Sequence, residues 1–170
     1  MPKGSVPAIR PSPYITAQGA KALETELRGL WTKRAVVTSH LAAAAAEGDR
    51  SENAEYIYRK KELRIIDRRI RYLQKRIPML MIIDQLPGVR DRIFFGAWIE
   101  LSGPEQTTAT YRLVGADETD AQRGWISVDS PLARALLKKT LAERVEVQTP
   151  SGSREWTVMG IFYSDPEGRP

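Results

Sequence analysis

Gly48-Asp49-Arg50-Ser51-Glu52-Asn53-Ala54-Glu55-Tyr56 interrupts two long stretches of helical periodicity and decides the fold. Before it, Leu23, Leu27, Leu30, Arg34, Val37, Leu41 and Ala44 recur at alternating spacings of four and three, the seam of a coiled coil with one polar position at Arg34. After it, Tyr56, Arg59, Leu63, Ile66, Ile70, Leu73 and Ile77 repeat the pattern until Pro78 blocks continuation. Two seams joined by a short connector predict an antiparallel helical hairpin. The run Ala42 to Ala46 supplies small side chains near its tip. With about 25 to 30 residues per arm, the hairpin would reach roughly 40 Å.

Outside the hairpin the pattern changes. Residues 1–13 contain Pro2, Pro7, Pro11 and Pro13 and little to bury, which predicts a disordered leader. Folding is expected to begin near Tyr14, with Thr16 as a simple helix N-cap, since Gly19 stands where a capping-box Glu would be. Beyond Pro78 come short apolar and β-branched runs at 79–83, 93–101, 108–114, 125–128, 145–149 and 156–163, separated by turn signals such as Pro87-Gly88 and Ser102-Gly103-Pro104. They predict an antiparallel sheet with one short helix, capped by Ser130 with Pro131 in its first position and continuing through Leu132 to Lys139. The expected fold is therefore α+β: leader 1–13, hairpin 14–80 and sheet domain 81–170.

Composition narrows the function. The 170 residues are 42% hydrophobic, enough for a packed core, and no apolar run marks a secretory signal or a membrane span, so a cytoplasmic location is expected. With no cysteine and only His40, disulfides and an all-protein zinc site are excluded as organising features. The net charge of +5 is concentrated: residues 59–76 hold nine Lys or Arg against Glu62 and Asp67. Such clustering favours a polyanionic or acidic partner.

Asp49 and Glu52 stand three positions apart in the connector and could address one small target, either a divalent ion or a water aimed at phosphorus. They are too few to hold magnesium without a partner's oxygens. Residue types alone leave a plainer reading open, in which Gly48-Asp49 is an ordinary turn, Ser51 or Asn53 a helix cap, and Glu52 is favoured by the helix dipole. Trp98, Trp125 and Trp156 fall within strand patterns and are expected in the core; His40 is expected at the surface.

The connector string at 48–56, Lys60-Lys61-Glu62-Leu63-Arg64 and Ile66-Asp67-Arg68-Arg69-Ile70-Arg71-Tyr72-Leu73 together resemble the tip and second arm of the bacterial Gre transcript-cleavage factors, particularly their GreB branch. Phe94-Phe95-Gly96-Ala97-Trp98 and the run from Ser127 to Lys139 resemble the FKBP-like domain of the same factors. The resemblance extends from Tyr14 to Tyr163. It implies a non-enzymatic accessory of bacterial RNA polymerase: the sheet domain docks outside, the hairpin enters the secondary channel, and backtracked RNA is cut at the active centre, rescuing arrested complexes. On that reading Asp49 helps hold a Mg2+ kept mainly by the polymerase, with no cofactor bound by the isolated protein, and Glu52 helps position the attacking water. Asn53 and Tyr56 become tip contacts, although a cap and seam packing explain them equally. Lys60 and Lys61 match positions that contact the nascent RNA 3′ end, although a solvated face or a polymerase contact fits the same charges. Asp129, Ser130 and Pro131 match the docking surface and also read as a strand-to-helix cap. A monomer with no membrane partner is implied.

Two departures stand out, a leader longer than the family pattern requires and the alanine tract before the tip. Rival functions are a secondary-channel regulator that inhibits or retunes polymerase without stimulating cleavage, and a peptidyl-prolyl isomerase-like chaperone, the latter from fold likeness alone.

Overall fold

The computed structural model describes residues 10–48, 53–150, 152–166 and 168. They form two compact units: Gln18–Leu80, and a second that gathers the residues before and after that stretch.

The first unit is the hairpin. Helix α1 spans Ala17–Ala46 and α2 spans Ala54–Arg76, followed by a 3-10 turn at Ile77–Met79 where Pro78 falls. Val37, Ile66 and Ile70 are buried between the arms, with Leu27, Leu30 and Leu63 packed against them. Each such side chain withdrawn from water contributes about 1.5–3 kcal/mol. Leu23 and Leu73 extend the buried seam toward the base. The polar seam position is answered from across: Arg34 Nε donates to Asp67 Oδ1 at 2.7 Å. Arg69 grips Glu26 with both Nε and Nη2, at 2.7 and 2.8 Å. These pairs join early residues of one arm to late residues of the other, so the arms are antiparallel. The Arg69 hydrogen bond, with its charge added, lowers the Glu26 carboxyl below its ordinary pKa against a partial burial penalty.

The second unit is a curled sheet of five strands. Strands β3 (Trp98–Ser102), β4 (Thr108–Val114), β5 (Trp125–Ser127), β6 (Arg144–Thr149) and β7 (Gly152–Phe162) lie in the order β5-β4-β3-β7-β6. A separate parallel pair joins β1 (Tyr14–Ile15) to β2 (Met81–Ile82). Alternation sends Ile99, Leu101, Leu113, Val145, Val147, Trp156 and Val158 to one face, where Ala133 and Leu136 of α3 (Pro131–Leu136) cover them. α3 stops because Leu137 is extended and Lys138 has φ of 69°, shorter than the run to Lys139 that the sequence pattern offers.

The sheet is mixed, which corrects the expectation of antiparallel strands throughout. β5 pairs with β4 in parallel register, Arg112 with Trp125 through Val114 with Ser127. The connection 115–124 makes this geometry accessible by reversing the chain twice. Gly124 completes it at φ of 69°, where a Cβ would lie 2.5 Å from the Thr110 carbonyl oxygen.

The placement of residues 10–17 also differs from the expected leader and hairpin start. The Pro13 carbonyl accepts from Met81 N–H at 2.8 Å and Ile15 is completely buried. Ser12 donates its N–H to Asp129 Oδ2 at 2.7 Å and its hydroxyl to Oδ1. Thr16 does the same to Glu118, its N–H at 3.0 Å from Oε2 and its hydroxyl on Oε1. Two carboxylates of the sheet unit thus clamp the chain just before α1. The rest of the expected leader, residues 1–9, lies outside the described residues.

Trp156 and Trp98 are buried as expected, whereas Trp125 is only half-buried, and Trp98 and Trp125 together hold a cation. On the face opposite α3 they flank the Arg112 guanidinium, 5.4 and 4.8 Å from the two ring centroids. Arg123 lies over the second indole at 5.2 Å. Burial lowers the Arg112 pKa from its ordinary value, and the negative fields of Glu118 and Asp165 work against that shift. The stack keeps a desolvated guanidinium against ring faces, where its charge is favoured.

Candidate functional site at the hairpin tip

The tip begins where α1 ends. Glu47 N–H bonds the Ala44 carbonyl at 3.3 Å, closing the last turn, and Gly48 follows. Asp49 and Glu52, the candidate catalytic carboxylates and, for Asp49, the candidate metal ligand, lie outside the described residues. Asn53 is the next residue described.

Asn53 is the N-cap of α2. Its Oδ1 accepts from Tyr56 N–H at 3.0 Å, and its Nδ2 donates to the Ala44 carbonyl at 2.8 Å. One side chain therefore satisfies the start of the second arm and the end of the first. The small residue Ala44, itself buried, leaves room for the amide. Sequence reasoning had the cap among its readings, but the bond across to Ala44 has no local signature. Asn53→Ala is expected to destabilise the hairpin by about 2 kcal/mol, the sum of a lost cap and a lost cross-arm hydrogen bond. Asn53→Asp should recover roughly half, keeping the acceptor and losing the donor. Chemical denaturation followed by circular dichroism measures both.

Beyond the cap, the acids are spoken for. Glu55 Oε1 accepts from Arg59 Nε at 2.7 Å, and Glu62 receives Arg59 Nη1 and Lys33 Nζ, each at 3.1 Å. The hydrogen bond to Glu55, then that to Glu62, raise the Arg59 pKa, while Lys33 and then Arg59 lower that of Glu62 against a desolvation penalty. A depressed carboxylate stabilises the fold above its unfolded pKa and loses that contribution as pH falls through the folded value. Hairpin stability should therefore fall below the ordinary Glu pKa of 4.5, and Glu62→Gln should flatten that acid limb in thermal melts taken between about pH 3 and pH 6. Arg59 and Glu55, with His40, Ala43, Ala44 and Glu47, line an open depression of about 320 Å3 beside the tip.

Lys60 and Lys61 follow on exposed positions. Lys60 Nζ sits 5.7 Å from the Tyr56 ring centroid, a cation–π contact that turns one candidate contact residue toward another. Neither lysine has a carboxylate partner among the described residues. The two cations thus remain available to an external anion.

Asp129, Ser130 and Pro131 form the corner between β5 and α3 in the sheet unit. Ser130 Oγ caps α3 by accepting from Ala133 N–H at 3.2 Å, with Pro131 opening the helix. Asp129 carries the Ser12 clamp on its carboxylate and donates its own N–H to Ser127 Oγ at 3.1 Å. The Asp129 carboxylate, the Ser130 hydroxyl and both their backbone N–H groups thus have internal partners, and Pro131 is exposed at the corner.

As to metals, no group of three or more His, Asp or Glu is arranged to hold an ion among the described residues. Around the tip, Asn53 spends both ends of its amide and Glu55 is tied to Arg59.

The chain matches two family models that between them account for most of its length: "Transcription elongation factor, N-terminal" over residues 13–82 and "Transcription elongation factor, GreA/GreB, C-term" over residues 88–163. It is 53% identical over 153 residues to transcription elongation factor GreB of Haemophilus influenzae, covering 89% of this chain and 97% of that one. To the protein of the same name in Xanthomonas axonopodis pv. citri it is 50% identical over 160 residues, covering 93% and 95%. Among solved structures it aligns with GreA factor homolog 1 of Thermus thermophilus at 24% identity and a TM-score of 0.41, covering 88% of this chain and 97% of that one. A capped two-helix hairpin followed by a curled sheet, matched along both halves and at about half identity to full-length relatives, makes the chain a member of the GreA/GreB family of transcription elongation factors.

Proposed function

We propose that this protein is a cytoplasmic, monomeric transcription elongation factor whose hairpin enters the secondary channel of bacterial RNA polymerase and stimulates endonucleolytic cleavage of backtracked RNA. The observation that carries the reading is the Asn53 staple, which ties the end of the first arm to the start of the second across the connector whose sequence holds Asp49 and Glu52. Carboxylates introduced into a partner's active centre are effective only if their support is stiff. The arms, of 30 and 23 residues, extend about 45 and 35 Å at the helical rise, enough to span a deep entry.

In this reading Asp49 would hold a magnesium ion jointly with polymerase carboxylates, and such an ion supplies Lewis-acid activation of water and phosphate. Glu52 orients the water for attack on the scissile phosphorus. Lys60 and Lys61, two turns beyond, neutralise phosphates of the extruded RNA 3′ segment without reading its sequence. Asp129, Ser130 and Pro131 present the corner through which the sheet unit docks on the polymerase exterior. The protein itself does not cut RNA, since its tip cannot complete an octahedral site.

The test is a stalled, backtracked elongation complex supplied with magnesium and purified protein. Shortened RNA that resumes extension is the expected result. Uncleaved RNA with slowed elongation would instead identify a secondary-channel regulator, and cleavage of free RNA by polymerase-free protein would overturn the accessory role.

A further inference from the structure

The back of α2 carries a second seam that the hairpin does not use. Tyr58, Ile65, Arg68, Tyr72 and Lys75 lie along it at spacings of seven, three, four and three, and all are exposed. They lie on the side of the helix away from buried Ile66, Ile70 and Leu73. A helix packed on one side ordinarily presents polar residues on the other. Here large apolar groups return every seventh position, with Tyr58, Ile65 and Tyr72 exposed by 59, 58 and 41%. Arg68 stands between Ile65 and Tyr72, Lys75 follows, and the row runs about 25 Å along the helix.

The charges on this face are unbalanced. Glu55, Glu62 and Asp67 of α2 are engaged with Arg59, Lys33 and Arg34. Among the described residues Arg68 and Lys75 make no ion pair. We propose that this face is a docking surface for an acidic amphipathic helix of a protein partner. On the functional reading above, that partner is RNA polymerase itself.

Three features select this occupant. Ile65, at the centre of the row, offers neither charge nor a stacking face, so its burial is rewarded by an apolar protein surface and not by a nucleic acid. The Tyr58 and Tyr72 rings already carry guanidinium groups, Arg59 at 5.3 Å and Arg69 at 5.2 Å from their centroids, so their faces are partly used. A second copy of this chain would set cation against cation. An acidic helix with apolar residues at heptad spacing meets both halves of the pattern.

The experiment measures binding of the labelled full-length protein to bacterial core RNA polymerase, with circular dichroism confirming that each variant retains its helices. Ile65→Asp and the pair Arg68→Glu with Lys75→Glu should each weaken binding about tenfold, and a single-stranded RNA oligonucleotide should not compete. Gln74→Ser, exposed but off the row, should bind as the wild type does. Wild-type polymerase binding unchanged in the row variants would overturn the docking surface alone, as would variants that lose affinity for the RNA oligonucleotide and keep it for polymerase. Absence of binding by the wild type would overturn the polymerase assignment and this proposal together.

Discussion

Alanine at Asp49 or at Glu52 is expected to slow stimulated RNA cleavage about a hundredfold, on the order of 3 kcal/mol in barrier, while polymerase affinity stays within about twofold. Among the described residues the hairpin's apolar core is made by Val37, Ile66 and Ile70 with three leucines against them, all within the two arms. Tip closure is the work of Asn53. The loss should therefore fall on chemistry and spare binding, the signature of groups that act in the transition state. Single-turnover cleavage of one backtracked complex at saturating factor separates the two. Wild-type rates from both variants would remove the tip from the mechanism.

Gly115→Ala should be the most damaging small substitution in the sheet unit, costing on the order of 3 kcal/mol. A Cβ at Gly115 would lie 2.1 Å from the Tyr14 carbonyl oxygen and 3.0 Å from Glu118 Oε2. The first of these neighbours is backbone in β1. The second is the carboxylate that binds Gly115 N–H at 2.9 Å and clamps Thr16. Relief requires moving the strand or releasing the clamp, and either separates the chain before α1 from the sheet. Gly88→Ala, with nothing near its Cβ position, is the matched control. Denaturant unfolding of both variants gives the comparison, and equal stability would show that the β1 approach is not constrained.

Much of this was legible because it is local. Three-four spacing of Leu27, Leu30, Leu63, Ile66 and Ile70 marks the hairpin whatever surrounds it, since a helix places those positions on one side. Ser130 with Pro131 marks the start of α3 because an N-cap and its neighbour lie within one turn. The strand Thr108–Val114 was readable from its β-branched run and its turn signals. Candidate site residues Asn53, Lys60 and Lys61 were readable by type, and the structure added that Asn53 joins both arms and that Lys60 lies over Tyr56.

The sequence by itself thus determined the hairpin, the sheet-bearing second unit and the family to which both belong. Only the tertiary structure decided the direction of β5, the clamping of Ser12 by Asp129 and Thr16 by Glu118, and the seat of Arg112 between Trp98 and Trp125. Ser12 and Asp129 are 117 positions apart, and Thr16 and Glu118 are 102. Periodicity reports which face of an element is buried, but it is silent on strand direction and on which distant carboxylate meets which amide. Those choices are made when the chain collapses and every buried donor must find an acceptor.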